Sequence, residues 1–327
     1  MRDATSTAKR QRAAVIYNPI KVDLDAIASV VAQEEEANKW DETVWLPTSE
    51  DDPGQGRAKE VLESGASVVI VAGGDGTVRA VAEGLQGGSI PMALLPSGTG
   101  NLLARNLDLS LDDIELAVHT AFTGVDRKID LGLIEITRAD RATSHHVFLV
   151  MAGLGLDAKM LANTDDDLKK KAGWLAYVTA LALTLRDKNE LRFHYALDRG
   201  PSRATRAHTI IVANCGFLPS NIVLLPDAAV DDGEFDIALL RPEGIVGWVQ
   251  IFVKVIWENG VLRRTKAGRA LMTREVSALR YVRATELGVR LQHAEQIELD
   301  GDGFGAALEF HVRVDPGGLT IKLPPSS

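Results

Sequence analysis

The first third of the chain alternates short apolar runs with segments whose apolar residues recur at helical spacing. Runs rich in Val, Ile and Leu that end at Gly, Pro or Asn are typical of buried strands. Strands of this kind, separated by helices, form parallel sheets that are covered on both faces. The pattern therefore predicts a doubly wound α/β domain. Its predicted strands cover residues 13–17, 42–46, 67–71 and 91–95, and its predicted helices begin after Asp23 and cover 57–63, 78–85 and 102–106.

Beyond residue 127 the pattern changes to short strand-like segments at close spacing, which favours an antiparallel sheet or sandwich. We predict a first domain over residues 13–127, a β-rich second domain over 128–323 and a disordered tail over 1–12. Two helical insertions, at 166–186 and 245–259, interrupt the second domain. Its predicted strands cover residues 128–136, 145–150, 191–196, 207–213, 235–240, 277–284, 296–299 and 308–314.

Composition narrows the functional classes. A net charge of −9 over 327 residues argues against nucleic-acid binding, which needs a cationic surface. The single cysteine, Cys215, has no internal disulfide partner, which fits a reducing compartment. The longest apolar run, at 174–185, is shorter than the roughly 20 residues of a membrane-spanning helix, and the polar N-terminus lacks a signal-peptide pattern. We therefore expect a cytoplasmic protein, soluble or peripheral at a membrane.

A glycine-rich loop at residues 73–77 (Gly-Gly-Asp-Gly-Thr) joins the third predicted strand to a helix. Glycines without Cβ atoms let backbone amides approach a phosphate, and the helix directs its positive dipole end at the same place. Asp75 would repel a phosphate unless a divalent cation lies between them. Thr77 would cap the helix or donate to a phosphate oxygen. The alternative is a tight turn with left-handed glycines and no ligand.

A second loop, residues 97–101 (Ser-Gly-Thr-Gly-Asn), repeats this design before a helix that begins at Leu102. Open α/β sheets bind ligands at the carboxyl edge of their strands. Two amide-rich loops at that edge predict a cradle for a polyphosphate. The sequence has no Walker A loop, complete dinucleotide fingerprint, nucleophile elbow, zinc-type His motif or cysteine pair.

Five blocks, at residues 73–77, 95–101, 152–158, 225–236 and 299–302, follow one another along nearly the whole chain. Their sequences and order resemble the diacylglycerol kinase catalytic-domain family, which includes bacterial lipid kinases and the sphingosine and ceramide kinases. The resemblance implies a nucleotide-binding α/β domain, a β-rich second domain and an active site in the cleft between them. It also implies transfer of the γ-phosphoryl group of ATP to a lipid hydroxyl, with Mg²⁺ as cofactor.

The resemblance further implies which residues bind the nucleotide. A first loop begins at Asn18 and ends at Lys21-Val22, where the family usually has Ser-Gly. Thr48 resembles the family's threonine near the nucleotide. The implied nucleotide-binding residues are Asn18, Pro19, Thr48, Gly73, Gly74, Asp75, Gly76, Thr77, Val78, Arg79, Gly98, Thr99 and Asn101.

The family pattern also implies metal sites. Asp75 and Asp130 resemble acids of the family's metal and water network, with a catalytic role. Asp232 resembles a ligand of a structural magnesium ion, which the carbonyl groups of Ala229 and Glu234 would complete. The alternative for residues 231–233 is a hairpin turn, which Asp-Asp-Gly also favours.

Two positions depart from the family. The general base is usually a glutamate after Asp-Gly, whereas here Asp302 follows Asp300-Gly301. We assign the base to Asp302, one methylene shorter, with Asp300 as the second choice. Leu102 stands where bacterial diacylglycerol kinases commonly carry Asp. In this respect the second loop is more similar to that of the sphingosine-kinase branch. The acceptor is therefore left open between a diacylglycerol-like and a sphingoid lipid.

A lipid acceptor needs an apolar slot near the bilayer, and the two helical insertions offer candidates that core packing would explain equally well. Lysines 169–171 and Arg263-Arg264 are cations for lipid head groups. We expect a membrane lipid as substrate, peripheral membrane contact and no nucleic-acid partner, and a homodimer is left open. The apolar candidates are Trp174, Leu175, Tyr177, Val178 and Leu181, and Trp248, Ile251, Phe252 and Ile256.

Two other functions stay open. NAD kinases and phosphofructokinases share a Gly-Gly-Asp-Gly loop, so the chain could phosphorylate a soluble acceptor. The departures at Leu102 and Asp302 would also fit a nucleotide-binding protein of the same fold with little turnover.

Overall fold

The computed structural model describes residues 10–155, 190–218, 222–225, 227–241 and 279–325. These residues fall into two compact units. The first holds residues 10–104, 108–129 and 318–325, and the second holds 105–107 and the described residues between 130 and 317. We predicted a single domain boundary at residue 127, and the sequence gave no indication that the last strand returns to the first unit. The predicted helical insertions lie outside the described residues.

The first unit contains a parallel sheet in the order β2-β1-β3-β4. A last strand, β16, adds to β4 through a parallel pair between Ile321 and Met92. Arg12, which we had placed in the tail, is the first residue of β1. The strands are β1 (Arg12–Tyr17), β2 (Asp41–Pro47), β3 (Val68–Gly73), β4 (Met92–Pro96) and the end of β16 (Asp302–Leu323). The helices are α1 (Leu24–Asn38), α2 (Gln55–Ser64), α3 (Asp75–Leu85), α4 (Leu102–Asn106) and α5 (Ile114–Thr123).

Both faces of this sheet are buried, as predicted for a doubly wound domain. On one face, Val15 and Ile70 belong to the same apolar cluster as Ile27 of α1 and Val118 of α5. The residues that alternate with them on β1 and β3, such as Ile16, are also fully buried, so the opposite face is covered as well. Helix α5 was not predicted, although Asp113 caps it in the same way as Asp23 caps α1.

The second unit is built from antiparallel strands, which confirms the predicted β-rich domain. Its main sheet has the order β14-β13-β10-β7-β15-β16, with β8 and β9 added on the other half of β15 and β6 paired with β5. The buried rings of Phe148 and Phe235, 5.5 Å apart, lie in its core. The strands are β5 (Val125–Thr137), β6 (Thr143–Phe148), β7 (Met151–Leu154), β8 (Leu191–Leu197), β9 (Arg203–Ala207), β10 (Thr209–Ala213), β11 (Phe217–Leu218), β12 (Ile222–Val223), β13 (Phe235–Leu240), β14 (Leu279–Ala284) and β15 (Glu286–Leu299), followed by β16.

Strands β15 and β16 are much longer than predicted. Irregular pairing between Arg290 and Glu295 accommodates an exposed polar stretch in β15 that breaks the expected alternation. In β16, Pro316 and the glycines after it favour a turn, yet the strand continues through them. The Gly317 N–H donates to the Asp130 side chain at this irregular point. No helix within the described ranges is long and apolar enough to cross a bilayer.

Candidate functional site

Four loops leave the first unit's sheet at its carboxyl edge. Three of them, those after β1, β2 and β4, are joined to a neighbouring strand by a backbone hydrogen bond: Asn18 N–H to Ala72 O at 2.9 Å, Thr48 N–H to Tyr17 O at 2.8 Å and Ser97 N–H to Gly73 O at 3.1 Å. The parallel register, with Gly73 opposite Pro96, fixes the two glycine loops side by side. The structure therefore brings the sequence-predicted loops to one edge of one sheet.

The first glycine loop opens directly into α3. Gly74 is the N-cap residue and supplies no side-chain hydrogen bond to the first turn. By contrast, Asp23 and Asp113 are the N-cap residues of α1 and α5 and accept hydrogen bonds from the first turns of these helices. The N-cap residue of α2 is also a glycine, but the nearby Asp52 carboxylate accepts the N–H groups of Gly56 and Arg57. The N-cap residue of α3 thus supplies no side-chain acceptor at the sheet edge, where the helix dipole favours an anion.

Thr77 does not cap α3, so the capping alternative was wrong, and donation of Thr77 to a phosphate oxygen stays a prediction. The helix begins two residues earlier than Thr77, at Asp75, and Thr77 is buried within its first turn. A Cβ on Gly73 would lie 2.7 Å from the Thr77 Cβ. The threonine therefore packs against the strand end, which only glycine can accommodate at this distance.

The two glycine loops are in backbone contact. A Cβ on Gly98 would lie 2.7 Å from the Gly74 Cα, closer than side-chain carbons approach. Glycine at position 98 is therefore required by the close approach of the loops, and its backbone need not adopt a left-handed conformation.

Asp75 links the same two loops. Its Oδ1 accepts a hydrogen bond of 2.5 Å from the backbone N–H of Leu102, the first residue of α4, and its Oδ2 lies against Gly100. The carboxylate also lies in the first turn of its own helix, where a negative charge is favourable. The structure gives Asp75 a loop-joining role, and its part in a metal network stays a prediction.

Asn101 shapes the second loop. Its Oδ1 accepts the Gly98 N–H at 3.0 Å and its Nδ2 donates to the Gly98 carbonyl at 2.9 Å. Asn101 itself has a left-handed backbone, φ 48°, which asparagine tolerates well. Both polar groups of the side chain thus hold the loop, and Thr99 is left exposed at its tip. Direct contact of Asn101 with a nucleotide stays a prediction.

The remaining predicted nucleotide residues differ in exposure. Val78 and Arg79 are buried in α3, where the Arg79 guanidinium lies 3.6 Å from the Glu83 carboxylate. Thr48, the residue after β2, is buried. Asn18 forms a tight turn, because its Oδ1 accepts the Ile20 N–H at 3.0 Å and its carbonyl accepts the Lys21 N–H at 3.0 Å. Pro19 within this turn is exposed.

A cleft of about 280 Å³ opens beside the first loop and the end of β4. Its walls combine the loop residues before α1, the strand end of β4 and the residues that begin α5. Among the lining residues are Lys21, Val22, Pro96, Ser97, Asp113 and Ile114.

In the second unit, Asp300 anchors the turn between β15 and β16. Its buried carboxylate accepts three backbone N–H groups, from Leu149 at 2.8 Å, Val150 at 2.8 Å and Met151 at 3.0 Å. Asp300 and Gly301 have φ values of 50° and 90° and form a two-residue connection, since Leu299 pairs with Asp302. Asp300 is thus committed to the fold, and Asp302 is the exposed acid at the start of β16.

Asp130 is also committed to backbone groups. Its buried carboxylate accepts the Gly317 N–H and the Gly233 N–H, each at 2.7 Å, and the Asn214 side chain donates to its carbonyl at 2.9 Å. These contacts fix the turn at residues 231–234 and the irregular point of β16. A catalytic role for Asp130 stays a prediction.

The turn at 231–234 carries the predicted structural metal ligands. The exposed Asp232 accepts the Glu234 N–H at 3.1 Å through Oδ1. Burial raises the pKa of the neighbouring Asp236, and the Arg283 guanidinium, 3.3 Å away, opposes this shift. A carboxylate with two carbonyls is a donor set that suits Mg²⁺. Within the described ranges no three His, Cys, Asp or Glu side chains converge on a metal position, so carbonyls and water would have to complete the shell.

Sequence reasoning missed two structural contacts of this region. Arg283 donates to the Asp227 carbonyl at 2.7 Å as well as to Asp236, and Asn214 bridges the carbonyls of Asp130 and Leu149. A buried polar residue at the end of an apolar strand, such as Asn214 after β10, was the available signal.

Comparison with known proteins adds to these observations. Residues 12–134 match the family model of the diacylglycerol kinase catalytic domain, and residues 150–323 match that of the YegS C-terminal NAD kinase beta sandwich-like domain. A protein of Pseudomonas fluorescens (strain Pf0-1) named "Probable lipid kinase YegS-like" is 33% identical over 82% of this chain and 80% of its own length. A protein of the same name from Pseudomonas aeruginosa (strain UCBPP-PA14) is 30% identical over 93% and 91%. The crystal structure of a diacylglycerol kinase from Bacillus anthracis str. Sterne has the same fold, with a TM-score of 0.65 at 18% identity over 97% and 98% of the two chains.

Proposed function

The chain belongs to the diacylglycerol kinase catalytic-domain family, and on this premise we propose that it transfers the γ-phosphoryl group of ATP to the hydroxyl group of a membrane lipid. The observation that carries the proposal is the backbone contact between the two glycine loops beside the first turn of α3. Such an edge offers amide donors and a positive helix end to a polyphosphate.

Phosphoryl transfer depends on positioning and on neutralising charge more than on covalent help from the protein. The loop that begins at Gly73 would bind the β- and γ-phosphates, with Thr99 donating from the second loop. Mg²⁺ bound with the nucleotide would offset the charge that develops on the transferred group. The link between Asp75 and Leu102 would keep the two loops at a fixed spacing while the nucleotide binds.

Asp302 is proposed as the general base that accepts the proton of the attacking lipid hydroxyl. Its carboxylate is exposed, whereas that of Asp300 is occupied by three backbone N–H groups. The anchored turn restricts the motion of Asp302. A general base has to be held within hydrogen-bond distance of the hydroxyl from which it takes the proton. Asp232, with the carbonyls of Ala229 and Glu234, would hold a structural Mg²⁺ that stiffens the turn before β13.

The acceptor is proposed to reach the enzyme from a membrane surface, with the protein working in the cytoplasm as a peripheral enzyme. The lipid stays open between a diacylglycerol-like and a sphingoid acceptor, and a homodimer stays a prediction. The apolar and basic candidates for membrane contact, at 169–181 and 248–264, lie outside the described residues.

The test is an incubation of the purified protein with [γ-³²P]ATP, Mg²⁺ and mixed micelles that contain either diacylglycerol or a sphingoid lipid. The proposal expects label in one lipid on thin-layer chromatography. Asp302→Ala should lower this labelling about 100-fold or more, the range for a general base. Glu309→Ala, an exposed acid of the same strand, is the matched control and should leave it unchanged.

A parallel incubation with NAD that yields labelled NADP, while no lipid is labelled, would contradict the proposal and support a kinase of a soluble acceptor. Tight MgATP binding without a labelled product for any acceptor would support a nucleotide-binding protein with little turnover. Full activity of Asp302→Ala would remove Asp302 from its role.

A further inference from the structure

The ammonium group of Lys21 lies against the first glycine loop. Its Nζ is 3.1 Å from the point that a Cβ on Gly74 would occupy, and the Gly98 Cα is 3.5 Å from the same point. A cationic group, two glycines and the first turn of α3 therefore converge at the carboxyl edge of the sheet. The turn at Asn18 directs the chain there, because the Asn18 carbonyl accepts the Lys21 N–H.

Nearby carboxylates do not form an ion pair with the Lys21 ammonium group. Asp23 and Asp113 share the adjoining cleft, but each caps a helix, Asp23 through the Ala26 N–H at 3.1 Å and Asp113 through the Leu116 N–H at 2.8 Å. Among the residues that the structure describes, the Lys21 side chain has no hydrogen bond or ion pair, and it is exposed. The ammonium is thus available to a ligand.

The first glycine loop also needs a positive charge. Asp75 places a carboxylate within the loop, and the phosphates would add several more negative charges. Amide dipoles offset this repulsion in part, and a lysine ammonium is a compact charge with three donors that suits phosphate oxygens.

We propose that Lys21 binds the phosphate oxygens of the nucleotide and selects nucleoside di- and triphosphates over nucleosides. This inference rests on the proposed nucleotide binding and adds a ligand-binding residue to it.

Calorimetric titration with MgATP, MgADP and adenosine tests the inference on the full chain. Lys21→Met keeps the aliphatic length without the charge and should weaken MgATP and MgADP binding about tenfold, as for loss of one charged hydrogen bond. Adenosine binding should not change. Lys21→Arg should keep most of the affinity, and Lys59→Met, an exposed lysine on α2, should bind as the wild type does.

Salt provides a second readout. An exposed charge is screened as ionic strength rises, so the affinity difference between wild type and Lys21→Met should shrink from low to high salt. Equal MgATP affinity of wild type and Lys21→Met, or an equal loss for adenosine, would overturn the inference and leave nucleotide binding intact. Absence of MgATP binding by the wild type would instead overturn the proposed function itself.

Discussion

The Asp75 carboxylate accepts the backbone N–H of Leu102, so the acid of the first glycine loop is bonded to the helix that begins after the second. The two residues are 27 positions apart, and the strands that carry their loops are neighbours. The bond ties the N-terminal turn of α3 to that of α4. It gives an acid in a phosphate-type loop a structural reason to be there.

Asp75→Asn and Asp75→Ala should therefore behave differently. An asparagine oxygen can still accept the Leu102 N–H, whereas alanine leaves that partly buried donor without its acceptor. We expect Asp75→Ala to lower the free energy of unfolding by about 1–3 kcal/mol and Asp75→Asn by less. Urea denaturation followed by circular dichroism measures both.

MgATP titration of the same two variants separates the roles of Asp75. If Asp75 joins the loops, Asp75→Asn binds MgATP nearly as well as the wild type and Asp75→Ala binds it poorly. Equal stability of the two variants would contradict the loop-joining role, and equal loss of affinity at unchanged stability would indicate that the charge itself acts on a cation.

Gly98→Ala tests the contact between the loops. The added Cβ would lie 2.7 Å from the Gly74 Cα, so one loop has to move. We expect a destabilisation of about 1–3 kcal/mol, typical of overpacking, and a clear loss of MgATP affinity. Gly303→Ala is the control, since a Cβ there meets nothing within 4 Å. Unchanged MgATP affinity of Gly98→Ala would show that the spacing of the loops does not matter for binding.

Local signals in the sequence predicted most of the first unit. Aspartate caps, apolar periodicity and glycine loops act over a few residues, and they predicted α1 to α4 and the strands β1 to β4. Helix α5 was missed although Asp113 gives it the same start signal as Asp23 gives α1. The position of the loops at one edge of the sheet could be predicted, because parallel strands all end at the same edge.

The contacts that connect distant segments could not be read from the sequence. The residues 318–325 return to the first unit, and Asp300 reaches residues 149–151, through pairings that depend on strand register. Asp75, Asp130 and Asp300 were each interpreted as a catalytic or metal acid, because the sequence does not show whether a carboxylate accepts backbone N–H groups or faces a ligand. Only the tertiary contacts distinguish the two.

Substitutions of Asp300 and Asp302 should have different effects, the first on stability and the second on activity. In Asp300→Asn the side-chain oxygen can still accept the N–H groups of Val150 and Met151. The new NH₂ group, however, faces the Leu149 N–H, which is also a donor. We expect a loss of about 3 kcal/mol or more in the free energy of unfolding, because buried donors lose a charged acceptor. Asp302→Asn, at an exposed position, should change stability by about 0.5 kcal/mol or less and lower lipid labelling instead. Denaturation curves of Asp300→Asn that overlay the wild type would contradict the anchoring role.

Glu286 gives the second unit a predictable acid sensitivity. Its hydrogen bond to His311, 2.7 Å long, is the main cause that lowers the pKa of Glu286 below its ordinary 4.5, and Arg199 at 3.1 Å adds to it. A carboxyl whose pKa is lowered by folding stabilises the native state above its ordinary pKa, and this contribution is lost as the pH falls through the folded pKa. Glu286→Gln should therefore be less stable than the wild type at neutral pH, and the difference should disappear as the pH falls through the lowered pKa of Glu286. Denaturant unfolding across this range measures it, with the exposed loop substitution Glu50→Gln as the control. A stability difference that stays constant down to acid pH would show that Glu286 acts through packing and not through its charge.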